Sequence, residues 1–348
     1  MGGWSGERDV SIQTGTAVAT ALGDAGYDVV PIVVPGERSA SDPSRGADAA
    51  DVLRCIRRAD VDVVFVALHG RMGEDGCLQG LLELEKIPYT GSGVLASALA
   101  MDKVKAKELF LLHNIPTPPF YTVPATADLA DVESIHQHFG FPVIVKPRAE
   151  GSSLALTKAT SHSELARALT RVFEFDDWAL VERYVAGAEV TVGILNGRVL
   201  GAIEVCPAGE LYDYHAKYDS GDTRYFMPAR MSPARYKGVL NLGARAAEVL
   251  DTRGAARVDL LVTPGENEYV LEVNTLPGMT ETSLLPKIAA HAGYDFPSLC
   301  DAIVQSADLH TPMRARWDDA DAGSRRSGIV PAPGVFLEAS DTDLAKTG

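Results

Sequence analysis

The chain has 348 residues, 46% of them hydrophobic and 23% charged, with a formal net charge of −15. At roughly 100 to 200 residues per domain, that length predicts two or three globular domains. The acidic balance argues against nucleic acid or an anionic membrane surface as a partner, and the scattered Cys55, Cys77, Cys206 and Cys300 argue against a zinc site or a disulfide framework.

Met1 to Arg8 hold no apolar signal core, and no later apolar run reaches the roughly 20 residues of a membrane span, so a cytoplasmic protein with reduced thiols is expected. Residues 27–34 (YDVVPIVV) and 61–68 (VDVVFVAL) are β-branched apolar runs flanking a helical stretch near Ala47 to Arg58, a parallel α/β layout. His69 to Gly76 follow, rich in glycine and charge, at a strand's carboxyl end where open α/β sheets bind ligands.

A helix from Asp102 to about Asn114 is closed by the proline-rich stretch 115–119. The next unit reads as a helix near Leu129 to Phe139, a strand Val143 to Lys146, a Gly-Ser-Ser loop at 151–153, a helix Ser163 to Phe173 and a strand Ala179 to Tyr184. Then come a hairpin around Asn196-Gly197, a polar and aromatic loop from Tyr212 to Phe226, a helix Pro233 to Leu250, and a second hairpin pairing 256–263 with 268–274. The boundaries expected are 1–94, 95–184 and 185–310, with 311–348 as a disordered tail without apolar period.

With Pro264 to Asn267 as the turn of the second hairpin, Asp259 falls opposite Glu272 and Arg257 opposite Asn274, all on one face. Two carboxylates and an amide oxygen there need neutralising. Mg²⁺ suits such hard oxygen ligands. Arg257 pairing with Asp259 or Glu272 on a solvated face would also do so, and the residues alone leave both readings open.

The run Gly2-Gly3 with Ser5 to Ser11, His69-Gly70 with Gly73 to Gly76, Tyr89 to Gly93, Met101-Asp102-Lys103, Val145-Lys146-Pro147 with Glu150 to Ser153, Tyr212-Asp213-Tyr214 with Lys217-Tyr218, and Glu272 to Thr280 resembles the ATP-grasp superfamily. Within it, the order of these pieces is similar to that of the D-alanine–D-alanine ligases, from residue 2 to about 310. The resemblance implies an α/β and α+β fold of three domains: an N-terminal parallel α/β domain, a central subdomain, and a C-terminal domain whose antiparallel sheet clamps ATP against the central one. It also implies a homodimer.

By the same resemblance, Lys103, Lys146 and Lys217 contact the ATP phosphates, Ser153 lies in the loop that covers them, Glu182, Arg183, Tyr184 and Val185 form the adenine strand, and Glu189 holds the ribose. Most lone lysines are solvated charges, but Lys146 ends an apolar strand and precedes Pro147. Glycine-rich loops cradle anions through backbone N–H groups, although 150–153 would otherwise be a plain surface turn. Neither a P-loop, a G-x-S-x-G elbow nor an H-E-x-x-H motif is present, and His136 and His138 point to different helix faces.

The implied reaction joins two D-alanines through an acyl phosphate, for peptidoglycan precursor synthesis. Asp259, Glu272 and Asn274 would hold two Mg²⁺ ions, with Mn²⁺ as a substitute. Glu7 would anchor the first D-alanine, held by Ser152 and Tyr218, with His69 beside it. Arg257 and the Gly278 N–H would form the oxyanion site, where one such donor contributes ~3 kcal/mol. Ser283 and Leu284 would bind the second carboxylate at a helix N-terminus. A tyrosine at 218 goes with D-alanine as second substrate, while His215 departs from the more usual acidic residue.

Family members carry a hydrophobic strand ahead of the Gly-Gly turn, whereas here Met1 directly precedes Gly2. The first strand of the N-terminal sheet is therefore expected to be missing, and Glu7 to lose the element that aims it. A misassigned start accounts for this best, since every downstream motif is intact. The competing functions are another carboxylate–amine ligase, such as a D-alanine–D-lactate ligase, and a weakened nucleotide-binding paralogue.

Overall fold

The structure, a computed structural model, describes residues 1–36, 49–207, 209, 222–265 and 267–310. Lys217, Tyr218 and the rest of their loop, together with the tail 311–348, lie outside the described residues. Residues 1–310 form one compact unit.

The N-terminal part contains α1 (Arg8–Asp24), α2 (Ala49–Ala59), α3 (Cys77–Glu85) and α4 (Val94–Met101). The runs 27–34 and 61–68, expected as strands, form no ladder; each makes one parallel bridge, Gly2 with Val34 and Val64 with Tyr89. The physical reason lies between them: an apolar cavity of about 340 Å³ lined by Val18, Val29, Ile32, Val64, Phe65 and Val66 among others. A parallel strand needs a neighbour to take its slanted hydrogen bonds; among the described residues the first three residues supply one bridge to 27–34, and Pro88 to Thr90 supply one to 61–68. The Val34 N–H donates to the Met1 carbonyl (2.8 Å) and the Gly3 N–H to the Val34 carbonyl (3.0 Å), while the Met1 ammonium donates to the Ile32 carbonyl (3.1 Å). An apolar slot thus lies beside Met1, bounded by the bridge of Gly2 with Val34.

Two antiparallel sheets follow. The first contains β1 (Phe120–Pro124), β2 (Val143–Pro147), β3 (Thr157–Ala159) and β4 (Trp178–Arg183) in the order β1-β4-β2-β3. It packs on α7 (His162–Val172), whose N-cap Ser161 side chain accepts from the Glu164 N–H; α6 (Leu129–His136) lies between β1 and β2 in sequence. The second contains β5 (Ala188–Leu195), β6 (Arg198–Cys206), β7 (Arg224–Phe226), β8 (Ala255–Val262) and β9 (Glu268–Asn274) in the order β7-β6-β5-β8-β9. Asn196 and Gly197 both have positive φ, 51° and 73°, as the expected two-residue hairpin turn requires.

Helix α5 (Lys103–Leu112) joins the layers, touching β9 and α8 (Pro233–Val249), and the chain closes with α9 (Leu284–His291) and α10 (Phe296–Val304), the latter packed on α1.

The β8–β9 hairpin corrects the expected turn. Val262, not Thr263, pairs with Glu268, and the Thr263 N–H donates to the Asn267 carbonyl at 3.1 Å, so the turn spans 263–267. A bulge between Asp259 and Leu260 absorbs the slip: Leu260 pairs with Val270, and Leu271 is the extra residue. Beyond the bulge Asp259 faces Glu272 and Arg257 faces Asn274, as expected. Val270, opposite Leu260, is fully buried in the core.

Candidate active site

Three loops and the β8–β9 face surround a cavity of about 90 Å³, lined by Glu7, His69, Lys103, Ser152, Arg257, Glu272, Asn274, Gly278, Ser283 and Leu284 among others. Glu7 immediately precedes α1 and, contrary to the expectation that it would lack a supporting element, its turn is held by hydrogen bonds. The Ser5 hydroxyl accepts from the Glu7 N–H (3.2 Å) and donates to the His69 carbonyl (2.7 Å). Ser11 accepts from the Gly2 N–H (2.8 Å) and donates to the Ala67 carbonyl (2.5 Å). These bonds tie the turn to the 61–69 segment.

The Ser152 hydroxyl donates to Glu7 Oε1. Ser152 and Ser153 are left-handed, at φ 51° and 56°, and a Cβ at Gly151 would collide with the Glu7 carboxylate, so the glycine permits this approach. Arg71 Nε pairs with Glu150 Oε1 at 2.5 Å, binding the 69–76 loop to the 150–153 loop. Burial, opposed by Arg71, raises the Glu150 pKa. His69 is buried; its Nδ1 lies 2.9 Å from Glu74 Oε1 and its Nε2 3.1 Å from Thr14 Oγ1. Both ring nitrogens are thereby engaged within the protein, which suits a support for the cavity wall better than direct substrate binding.

Lys103 reaches the cavity because Asp102 caps α5, accepting from the Val104 and Lys105 N–H groups, and is clamped by Arg148 (Nη2 to Oδ2, 2.6 Å). The Lys103 Nζ donates to the Glu150 carbonyl at 2.6 Å and lies 3.5 Å from Glu272 Oε2. On the hairpin, Asp259 Oδ1 accepts from Thr191 Oγ1 (2.7 Å) and sits 3.1 Å from Arg257 Nε. The Arg257–Asp259 pairing left open by the sequence is therefore present.

Among the described residues no three His, Cys, Asp or Glu form a metal cluster. Asp259, Glu272 and Asn274 still fit magnesium, which takes one or two carboxylates and completes its shell with phosphate and water. The Asn274 Oδ1 accepts from the Leu276 N–H at 2.9 Å, which fixes the amide and leaves its oxygen a second lone pair.

Gly278 also has no room for a side chain: a Cβ there would lie 2.8 Å from Ser283 Oγ. The Ser283 hydroxyl accepts from the Thr280 N–H (3.0 Å), so it does not cap α9. The first N–H groups of that helix, beginning at Leu284, are left for an anion.

Comparison with known proteins decides what this cavity belongs to. The family model described as D-ala D-ala ligase C-terminus matches residues 109–305, and the one described as D-ala D-ala ligase N-terminus matches residues 40–92. The chain is 46% identical over 310 residues to the D-alanine–D-alanine ligase of Pelobacter propionicus, covering 89% of this chain and 94% of the relative. The same identity and length hold for the ligase of Geobacter sulfurreducens, with 89% and 93% covered. The chain belongs to the D-alanine–D-alanine ligase family. Among solved structures, the Bacillus anthracis D-alanine–D-alanine ligase complexed with ATP superposes with a TM-score of 0.74 at 35% identity, covering 88% of this chain and 94% of that one. The VanG D-Ala:D-Ser ligase of Enterococcus faecalis gives 0.72 at 29% identity, covering 88% and 97%. The ATP-grasp fold expected from the sequence is thereby established.

The site residues expected from the sequence do not all fall together. Glu7, His69, Ser152, Lys103, Arg257, Glu272, Asn274, Gly278, Ser283 and Leu284 line the cavity, whereas Ser153 and Asp259 adjoin lining residues without lining it themselves. Lys146, Glu182, Arg183, Tyr184, Val185 and Glu189 do not line it either, and belong to a second cluster at β2, β4 and the start of β5. There Lys146 Nζ pairs with Glu182 Oε2 at 2.8 Å. Arg183 points away, its guanidinium donating to the Phe139 carbonyl, and Tyr184 lies beneath the Lys158 ammonium, 4.0 Å from its ring centre.

Sequence reasoning missed Lys107, whose Nζ lies 2.7 Å from Glu182 Oε1 and which is fully buried. The available signal was its i+4 spacing from Lys103 on a helix that needs an apolar inner face.

Proposed function

We propose that the protein ligates two D-alanine molecules to D-alanyl-D-alanine at the expense of ATP, supplying a peptidoglycan precursor. One observation carries this reading: Glu7, Ser152 and Arg257 meet Glu272 and Asn274 around one cavity, in a chain 46% identical to ligases of that name.

The Glu7 carboxylate binds the ammonium of the first D-alanine, with Ser152 fixing its orientation. The substrate carboxylate oxygen then forms a bond to the γ-phosphorus of ATP as ADP leaves. Lys103 and Lys146, with Lys217 from the loop outside the described residues, balance the phosphate charge, and the 150–153 loop covers it. Magnesium, when bound at Asp259, Glu272 and Asn274, neutralises the charge on the transferring phosphoryl group. The amine of the second D-alanine, having given up a proton, attacks the acyl carbon; the C–O bond breaks and phosphate departs. Arg257 and the Gly278 N–H stabilise the tetrahedral oxyanion on this path. Ser283 and the α9 N-terminus orient the second carboxylate. Holding both substrates in line accounts for most of the rate gain available here.

Tyr218 supports D-alanine rather than D-lactate as second substrate. We also propose a cytoplasmic homodimer; no helix among the described residues is long and apolar enough to cross a membrane. The boundaries near 94 and 184 fit a three-domain reading of the compact unit. The competing reading, a nucleotide-binding paralogue with weakened turnover, is not favoured by relatives named as ligases at 46% identity over 310 residues.

Coupled-assay detection of ADP, with and without D-alanine, separates the two. D-alanine-dependent ADP with matching D-alanyl-D-alanine supports the ligase. Mg-ATP binding without D-alanine-dependent ADP supports the paralogue, and strong dependence on D-lactate would overturn the D-alanine reading.

A further inference from the structure

Glu182 is buried, 2% exposed, between two ammonium groups. They are not equivalent. Lys146 is the penultimate residue of β2 and also feels Glu272 and Glu189. Lys107 is fully enclosed: its Nζ donates to the Thr117 hydroxyl and sits 5.7 Å from the Phe120 ring centre.

Lys107 Nζ lies 2.7 Å from Glu182 Oε1 and Lys146 Nζ 2.8 Å from Oε2, so each carboxylate oxygen holds one ammonium. Each oxygen has a second lone pair beyond the one facing its lysine. Burial alone would favour a protonated Glu182, and Lys107 and Lys146 together outweigh it.

An ionised carboxylate only accepts hydrogen bonds; a protonated one also donates. Facing the edge of a purine, the first pairs with an exocyclic amine and rejects a carbonyl, and the second tolerates either. If Lys146 turns to the phosphates, Lys107 is the remaining countercharge. We propose that Lys107 is a positioning residue that sets purine selectivity, keeping Glu182 an obligate acceptor so that a 6-amino purine nucleotide is taken over a 6-oxo one. This rests on the reading of Glu182 to Val185 as the base-binding strand.

The test uses the full chain, its Lys107→Met variant and its Lys107→Gln variant. Binding of Mg-ATP and Mg-GTP is measured by calorimetry, and the D-alanine KM by nucleoside diphosphate release. Wild type should prefer ATP, and the ATP/GTP affinity ratio should fall about tenfold or more in both variants, with the D-alanine KM unchanged. Because each result is a ratio within one sample, partial loss of folded protein cancels, and the glutamine variant removes charge while retaining a polar group for Thr117. An unchanged ratio with equal weakening for both nucleotides would overturn the proposal and leave Lys107 a packing residue. Equal binding of ATP and GTP by wild type would overturn it through its base-strand premise. Absent D-alanine-dependent turnover would count against the ligase reading alone, since the binding ratio still decides the role of Lys107.

Discussion

Ser152 and Glu7, 145 positions apart in the chain, are joined by a hydrogen bond from the serine hydroxyl to Glu7 Oε1. This contact closes the 150–153 loop over the turn that begins α1. A hydrogen bond to a charged group contributes about 1.5–3 kcal/mol, so Ser152→Ala should raise the KM for the first D-alanine roughly tenfold or more at saturating ATP. Glu7→Gln should do so more strongly, because it also removes the charge that the substrate ammonium needs. Steady-state kinetics with D-alanine varied checks both, and an unchanged KM in both would remove Glu7 from the substrate site.

Glu272 faces Asp259 across β8–β9 and lies 3.5 Å from Lys103. Glu272→Gln should leave the hairpin paired, since it is isosteric, and should lower D-alanine-dependent turnover by about a hundredfold or more through weaker metal-nucleotide charge balance. Magnesium titration of nucleotide binding gives a second readout: the metal dependence seen in wild type should be blunted in the variant. Chelation of divalent ions should abolish wild-type turnover.

The buried lysines carry opposite pH signatures. Burial lowers the Lys107 pKa from 10.5 to about 8, against the pull of Glu182. Between about pH 8 and 10.5 the unfolded chain binds the extra proton, so the contribution of Lys107 to stability rises with pH across that window. Lys146, also buried, is raised above its ordinary value by Glu182 and Glu272; its contribution is complete below the ordinary lysine range and fades as pH passes its native pKa. Urea denaturation at pH 8 and pH 10 should therefore show a smaller gain, or a larger loss, in Lys107→Met than in wild type. Identical pH profiles would contradict this assignment.

The slot beside Met1 makes a separate prediction. Burial and Arg8 lower the Met1 amine to about 6 from 8.0, so its contribution to stability rises with pH between those values. An apolar, β-branched segment added before Met1 should extend the ladder already begun with Ile32 and Val34, fill the cavity of about 340 Å³ and raise the melting temperature. It should also flatten the pH dependence between 6 and 8, because a peptide N–H replaces the amine. A polar segment of equal length should do neither.

Much of this site was legible because its residues sit on elements with strong local signals. Asn196-Gly197 specifies a hairpin by turn chemistry alone, and the face shared by Arg257, Asp259, Glu272 and Asn274 follows from the period of two. The tip of that hairpin was not legible: a bulge at Leu271 moves the turn by one residue, and nothing in the local pattern marks it. Long-range contacts escaped for the same kind of reason. Lys107 meets Glu182 and Arg71 meets Glu150 only after three elements have packed, so their pairing is set by tertiary geometry. The runs 27–34 and 61–68 read as strands because side-chain preference is local, whereas a ladder needs a continuous partner, and among the described residues each run makes a single parallel bridge, Val34 with Gly2 and Val64 with Tyr89.

The central claim is that the cavity around Glu7, Arg257 and Glu272 joins two D-alanines. The most direct measurement is the stoichiometry of ADP against D-alanyl-D-alanine, with ADP read by a coupled assay and dipeptide by mass spectrometry, on the protein supplied with Mg-ATP and D-alanine. The account predicts one ADP per dipeptide and negligible ADP without D-alanine. ADP release that ignores D-alanine, or that proceeds without dipeptide, would contradict it.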